Sequence, residues 1–334
     1  MSKVTIEDIS RYTGLSRGTV SRALNDRPDI SQQTKERVLE ACRQLEYVPS
    51  HAARSLATGR RYAVAVLVDD LRCGYASGFL RGVVVRARGE RYAVHVSELG
   101  REPEHALAHL QTLVNERVDA LLLGTPLRAE FQRRLAEIIR GRPMVSSAAV
   151  SGVACDILAP DFVESGRLVA RHLLDGGSAG LLYVHETGSD CAAQRLAGFR
   201  EVCTAAGLNA QQITVEVPPH EDGDRDRLPV VRARLGNARA IAASDDFLAL
   251  EVMLLCAQAG RTPGQDVTII GQGNELVSGR VWPRLTTIDF CGEEIGRRAL
   301  DIVLQRVTKV RQDDPQHTLV PPILIVRQTT RPTA

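Results

Sequence analysis

Gly14-Leu15-Ser16-Arg17-Gly18 matches G-x-S-x-G letter for letter, the sharp turn that exposes a nucleophilic serine after a buried strand. The residues before it, Thr5 to Tyr12, carry helical spacing instead, so Ser16 reads as a helix cap and not as a nucleophile. Gly271-Gln272-Gly273 follows a strand-like run, but Leu276 stands where a dinucleotide fingerprint needs its third glycine. The seven cysteines (Cys42, Cys73, Cys155, Cys191, Cys203, Cys256, Cys291) contain no C-x-x-C pair, and the eight histidines show no recurring spacing. Zinc and a disulfide frame are both disfavoured, and reduced, packed thiols are the better account. Asp69-Asp70 and Asp313-Asp314 read as loop or strand-end acids. The expectation is no catalytic residue, no metal, no cofactor and no enzyme.

A second set of residues does carry chemistry. Arg17, Thr19, Ser21 and Arg22 share the outer face of one short helical segment, with Ser16 at its start. Hydroxyls and backbone amides there suit phosphates, and an arginine fork can donate two bonds to guanine in a major groove. The elements that must hold this face follow from caps and periodicity. Thr5 caps a first helix, with Asp8 as a short capping-box acid and Ile6, Ile9 and Tyr12 along one face. Gly14 supplies the residue that tolerates positive φ where the helix must turn. Ser16 then opens the second helix, Arg17 to Asn25, with Val20 and Leu24 inward. Pro28 breaks it, and Ser31 caps a third helix whose stripe is Val38, Leu39, Cys42 and Leu45, closed by Tyr47 and Val48. Two short helices around a glycine-containing turn make a helix-turn-helix.

The charge distribution agrees with that reading. Residues 1–60 hold ten Lys/Arg against seven Asp/Glu, and the rest of the chain holds 32 against 33. A basic head on a neutral body suits a nucleic-acid module joined to something else. With 334 residues, 44% hydrophobic and 25% charged, the chain has room for two or three domains. No run approaches the ~20 apolar residues of a membrane span, and the N-terminus lacks the pattern of a secretory signal. A cytoplasmic protein with no membrane partner is expected.

T-I-E-D-I-S-R-Y-T-G-L-S-R-G-T-V-S-R-A-L-N, continuing through P-D-I-S-Q-Q-T-K-E-R-V-L-E-A-C-R-Q-L-E-Y-V-P to A-R-S-L-A-T-G-R, resembles the headpiece of the lactose-repressor/galactose-repressor family of bacterial transcription regulators. The resemblance covers the first sixty residues almost without a gap. It implies DNA contacts from Thr5, Ser16, Arg17, Gly18, Thr19, Ser21, Arg22, Asn25, Ala53 and Leu56. Arg17 and Gly18 occupy the positions that set operator preference in that family. Gly18 offers no side chain, so Arg17 and Arg22 carry the base reading.

Ser50 to Thr58 reads as a short hinge helix ended by Gly59, too short to hold by itself in water. Small Ala52 and Ala53 would let two such helices approach across a dimer axis. Leu56, beside basic residues, has the character of a minor-groove wedge, and the resemblance supports that role.

From Tyr62 onward short apolar runs alternate with helix-length segments: A-V-A-V-L-V, Y-A-V-H-V, V-D-A-L-L-L-G, P-M-V-S-S, A-G-L-L-Y-V, A-R-A-I-A-A and V-T-I-I-G. This pattern predicts parallel sheets covered by helices on both faces, and the length predicts two lobes with a ligand cleft at the carboxyl ends of the strands. F-L-R-G-V, S-G-R-L-V-A-R-H-L-L, Q-R-L-A-G-F, S-D-D-F-L-A-L, L-T-T-I-D-F and V-R-Q-T-T-R-P resemble the periplasmic-binding-protein-like core of the same family. The expected architecture is an all-α headpiece at 1–49, a hinge at 50–60 and a two-lobed α/β core at 61–334. Lobe 1 takes about 61–160 and 291–322, and lobe 2 takes about 161–290 and 323–334.

The resemblance places Tyr75, Ser147, Arg195, Ser244, Asp245, Gly273 and Asn274 at the effector cleft, with Arg195 as the family's effector-binding arginine. The family's G-Y/F-D-D is here Gly271-Gln272-Gly273-Asn274, so both of its carboxylates are missing, and Ser147 stands where an acid is common. The expected effector is therefore an anion or a sugar derivative rather than a plain neutral sugar. The expected partners are a pseudo-palindromic double-stranded operator, this effector and a second copy of the chain. Alternative readings are an effector-independent regulator with a vestigial cleft and a cytosolic solute-binding protein, the latter opposed by the headpiece.

Overall fold

The computed structural model describes residues 4–24, 27–47, 59–68, 70–99, 103–116, 118–127, 129–139, 141–177, 180–187, 190–218 and 228–330. They fall into two compact units, Met1–Tyr62 and Ala63–Ala334. Among the expected DNA contacts, Asn25, Ala53 and Leu56 lie outside the described residues, as does most of the hinge.

In the first unit, α1 (Ile6–Thr13) ends at Gly14, whose φ of 68° no β-branched residue would accept readily. The Asp8 carboxylate ties its start, accepting from the Thr5 N–H at 2.9 Å and hydroxyl at 2.8 Å. The Ser16 hydroxyl accepts from the Thr19 N–H at 3.1 Å to open α2 (Arg17–Leu24). Ser31 does the same for α3 (Gln32–Gln44) through the Thr34 N–H. Ile9, Val20, Ala23, Val38, Ala41, Cys42 and Tyr47 form the core. Two expected inward residues point out: Tyr12 is 60% exposed and Leu39 50%. The stripe of α3 runs through Val38, Ala41 and Cys42, and Leu39 lies past its edge at one residue's rotation. On α1, Thr13 takes the inner place, its hydroxyl satisfied by the Ile9 carbonyl at 2.7 Å.

The second unit contains two parallel sheets. The first has β1 (Ala63–Val68), β2 (Ala93–Glu98), β3 (Ala120–Leu123), β4 (Met144–Ser146), β5 (Asp156–Pro160) and β11 (His317–Val320) in the order β11-β5-β4-β3-β1-β2. The second has β6 (Leu181–Glu186), β7 (Thr214–Val217), β8 (Ala240–Ala243) and β9 (Thr268–Ile270) in the order β7-β6-β8-β9. An antiparallel pair, β10 (Thr287–Asp289) with β12 (Ile323–Ile325), joins the second body. The chain passes between the bodies at 160–162, 289–292 and 320–323. Strands β1, β3 and β8 are buried at every position, as a parallel sheet covered on both faces requires. The short strands β5, β7, β10, β11 and β12 were not expected from apolar runs. Strand β5 opens on buried Asp156, held by Arg306 at 2.8 and 3.0 Å and by the Gln316 N–H at 3.0 Å; an ionic edge of this kind has no hydrophobic signature.

Helices α4 (Gly74–Glu90), α5 (Pro103–Glu116), α6 (Ala129–Ile139) and α11 (Gly292–Val307) flank the first sheet, and α7 (Phe162–Asp175), α8 (Asp190–Ala205), α9 (Pro229–Arg234) and α10 (Asp246–Gln258) the second. Each body contains one helix pair packed backbone to backbone. A Cβ on Gly82 of α4 would strike the Glu293 carbonyl of α11, and a Cβ on Gly166 of α7 would strike the Arg195 carbonyl of α8. The second crossing fixes how α8 presents its side chains to α7.

Candidate functional site

Two groups of residues stand out, one in each unit. On α2, Arg17, Gly18 and Arg22 are exposed, while Thr19 and Ser21 are half-buried. The hydroxyls of Ser16 and Thr19 bond each other at 2.9 Å. Arg17 rests 3.3 Å from Glu7, and Arg22 lies 3.3 Å from Asp29 with its Nε on the Gly18 carbonyl. These are exposed ion pairs of the kind worth about 0–1 kcal/mol. A phosphate or a guanine edge can displace such partners at little cost. Gly18 has ordinary φ, and a Cβ there would meet nothing closer than 3.7 Å. Its missing side chain is therefore not imposed by the backbone.

In the core the seven expected cleft residues divide into two kinds. Tyr75, Ser147 and Arg195 carry buried polar atoms with no hydrogen-bond partner: the Tyr75 hydroxyl, the Ser147 Oγ and the Arg195 Nε. Tyr75 is the second residue of α4, and its ring meets Phe79 and Phe162 at centroid distances of 6.3 and 6.4 Å. The Arg195 guanidinium lies over the Phe162 and Phe290 rings at 5.5 and 5.4 Å, within cation–π range. Burial pushes the Tyr75 phenol well above its usual range, so it stays a neutral donor.

The other four are already engaged. Asp245 caps α10 by accepting from the Leu248 N–H at 2.8 Å, and Ser244 donates to Asp245 at 3.2 Å. Gly273, at φ 131°, donates its N–H to the Ile288 carbonyl at 2.7 Å. Asn274 sits at φ 48°, a region asparagine tolerates, and bonds Thr287, Asp289 and Arg327. These residues build the loop rather than offering free groups to a ligand. Tyr75, Gly273 and Asn274 do line a cavity of about 310 Å³ beside Asp289 and Phe290; Ser147, Arg195, Ser244 and Asp245 do not border it.

The replacement of G-Y/F-D-D does not empty this region of carboxylates. Asp246 is buried behind Asp245, accepting from the Thr287 hydroxyl at 2.5 Å and the Glu275 N–H at 2.7 Å. Burial pushes Asp246 up to about 7 against those bonds. Glu275, just past the altered motif, turns its carboxylate to the Gly74 N–H at the start of α4, and burial raises it too. Gln272 is consumed internally, bonding Ser165, Tyr183 and the Ala243 carbonyl. Sequence reasoning missed Phe162, Phe290, Asp246 and Glu275. Asp246 and Phe290 lie within S-D-D-F-L-A-L and L-T-T-I-D-F, and Phe162 directly follows Asp161; Glu275 had no such signal, because its partner is 201 positions away.

Residues 5–50 match the model of bacterial regulatory proteins of the lacI family, and residues 170–330 match that of a periplasmic binding protein-like domain. The chain carries a lacI-family DNA-binding domain joined to a periplasmic binding protein-like domain. Among relatives of this chain, the HTH-type transcriptional repressor PurR of Haemophilus influenzae (strain PittEE) is 26% identical over 340 residues, covering 98% of both chains. The ribose operon repressor of Escherichia coli (strain K12) is 26% identical over 329 residues, covering 97% of this chain and 98% of its own. A solved lac repressor dimer bound to operator and the anti-inducer ONPF shares the fold, with a TM-score of 0.77 at 23% identity over 98% of this chain and 99% of that one. The CelR–cellobiose complex gives 0.70 at 22% identity, over 98% of this chain and all of its own. This chain is a helix-turn-helix transcription regulator with a two-lobed α/β core. Among the described residues no helix is long and apolar enough to cross a membrane.

Proposed function

We propose that this regulator is a cytoplasmic repressor that binds a pseudo-palindromic operator as a homodimer and responds to a small polar effector held between its lobes. Residues 1–49 read DNA, chiefly through Arg17 and Arg22, and 50–60 form the hinge with Leu56 as its wedge. Residues 61–334 hold the effector and the dimer contacts. Effector binding shifts lobe closure, and closure alters the spacing of the hinges and so their grip on DNA.

One contrast carries the effector assignment. Asp245, Asp246, Glu275 and Asp289 all accept internal hydrogen bonds, whereas the Tyr75 hydroxyl, the Ser147 Oγ and the Arg195 Nε have no partner. A buried polar group left unpaired costs about 1–3 kcal/mol, and native proteins keep few of them. The acceptors are satisfied and Arg195 and Tyr75 have hydrogens to give. That favours an acceptor-rich ligand, an anion or a sugar derivative.

Calorimetry of the full chain against sugars, sugar phosphates and organic acids tests this, with Arg195→Ala in parallel. The expected outcome is one acceptor-rich ligand whose affinity falls at least about tenfold in the variant, the loss of one charge-assisted bond. Binding of a neutral sugar alone, indifferent to Arg195→Ala, overturns it. The contact of Glu275 with Gly74 favours a second reading, a regulator that holds itself closed with no effector; binding of nothing in the panel, with operator affinity intact, selects it. For the hinge, Leu56→Ala is expected to weaken operator binding and leave calorimetry of the core unchanged.

A further inference from the structure

We propose that Glu275 is a tethered internal ligand, a latch whose carboxylate crosses from the second lobe onto the start of α4 and competes there with the anionic group of the effector. This inference rests on the effector reading above and adds to it a device specific to this chain. Glu275 projects from a loop fixed to the second lobe on every side. Its own N–H is held by Asp246, its carbonyl accepts from the Ser278 N–H and hydroxyl, and Asn274 before it is tied to Thr287, Asp289 and Arg327. Its side chain leaves that body and meets the backbone N–H of Gly74, in the first turn of a 17-residue helix packed in the other lobe.

The receiving end is shaped for it. Helix α4 has Cys73 at its N-cap position with no side-chain cap hydrogen bond, so the Gly74 N–H is open to an acceptor from elsewhere. Gly74 has no Cβ, and one built there would lie 2.6 Å from the Glu275 carboxyl carbon. Both the acid and the bare position are therefore needed for the contact. The next residue is Tyr75, whose buried hydroxyl has no hydrogen-bond partner, and Gly74 and Tyr75 both line the cavity described above. A carboxylate on the effector is the chemical equivalent of Glu275 at this place, and it has to displace the side chain to reach the Gly74 N–H.

The test is hydrogen exchange of the full chain, followed at the first turn of α4, for wild type, Glu275→Ala and Gly74→Ala, with and without sodium acetate as a probe carboxylate and sodium chloride as its ionic control. Loss of the latch is expected to speed exchange there several-fold in Glu275→Ala. Millimolar acetate, and not chloride, is expected to restore protection. Gly74→Ala, which displaces the flexible end of Glu275 without removing it, is expected to loosen the contact between the lobes in the same way, read as a larger radius of gyration by small-angle scattering. Unchanged exchange and scattering in Glu275→Ala, with circular dichroism showing the fold intact, overturns the latch and leaves the effector reading to the Arg195→Ala calorimetry. A latch that opens and is rescued by acetate, in a protein that binds nothing in the calorimetric panel, upholds the latch and removes the effector.

Discussion

The two candidate surfaces solve opposite problems. On α2 the functional side chains are exposed and their partners are weak: Arg17 leans on Glu7 and Arg22 on Asp29, both pairs open to solvent. In the core they are buried, and Arg195 and Tyr75 carry atoms with no partner at all. A surface that meets DNA can idle on pairs that exchange readily, because water already screens the charges. A cleft between lobes has no such solvent, so its groups are either satisfied from within, as at Asp245 and Asn274, or left for a ligand. The difference teaches where each unit is vulnerable. The headpiece depends on a few packed residues beneath an adaptable face, and the cleft depends on backbone placement.

The largest expected effect breaks the first side of that comparison. Ile9 is fully buried in a seven-residue core. Ile9→Ala, at the usual cost of about 2–5 kcal/mol for such a truncation, exceeds what a domain of this size can spare. Operator binding by fluorescence anisotropy should be lost while the melting of the α/β core stays where it was. Next, Gly166→Ala forces a Cβ into the Arg195 carbonyl. A destabilisation of about 1–3 kcal/mol is expected from overpacking, together with weaker effector binding, because α8 must shift with Arg195 on it. Thermal melting and calorimetry separate the two consequences; an unchanged affinity in a destabilised protein would show that the crossing serves stability alone.

Arg22→Ala is expected to cost about 1–3 kcal/mol of discrimination at one base pair of each half-site, roughly a fivefold to hundredfold loss per half-site on the preferred sequence and little on random DNA. Equal losses on both would reassign Arg22 to phosphate. The last effect is a pH dependence at Asp246. Its folded-state value of about 7 stands above the ordinary 3.8, so the folded protein keeps a proton that the unfolded chain gives up. Below about pH 4 both states hold it and nothing is lost; from there to about pH 7 the native state is progressively penalised, and above that the penalty is constant. Asp246→Asn should remove this part of the slope. The melting temperature of wild type, measured relative to the variant, should drop by a few degrees over that window.

The headpiece was legible because its signals are local. Thr5, Gly14, Ser16 and Ser31 are punctuation within a few residues of the helices they start or stop, and each holds in the structure. Tyr12 and Leu39 misled because hydrophobicity and helical spacing do not say how wide a small core is. In the core, β1, β3 and β8 announced themselves as continuous apolar runs, whereas β5 is secured by Asp156 and Arg306 and β10 by threonine hydroxyls such as Thr287. The candidate cleft divides in the same way. Arg195, Tyr75 and Ser147 could be named from residue patterns, but that Ser244, Asp245 and Asn274 spend their polar groups inside the loop required three dimensions. The Glu275 contact is the clearest case, since neither its acid nor the glycine it meets carries a motif.

The most direct test of the account is selection of bound sequences from random duplex DNA by the full-length chain, repeated with Arg17→Ala and Arg22→Ala. The account predicts enrichment of a two-fold-symmetric site, with preference relaxed at matching positions of both half-sites in each variant. Enrichment of no sequence, or of a site without two-fold symmetry whose preference ignores both arginines, would contradict it.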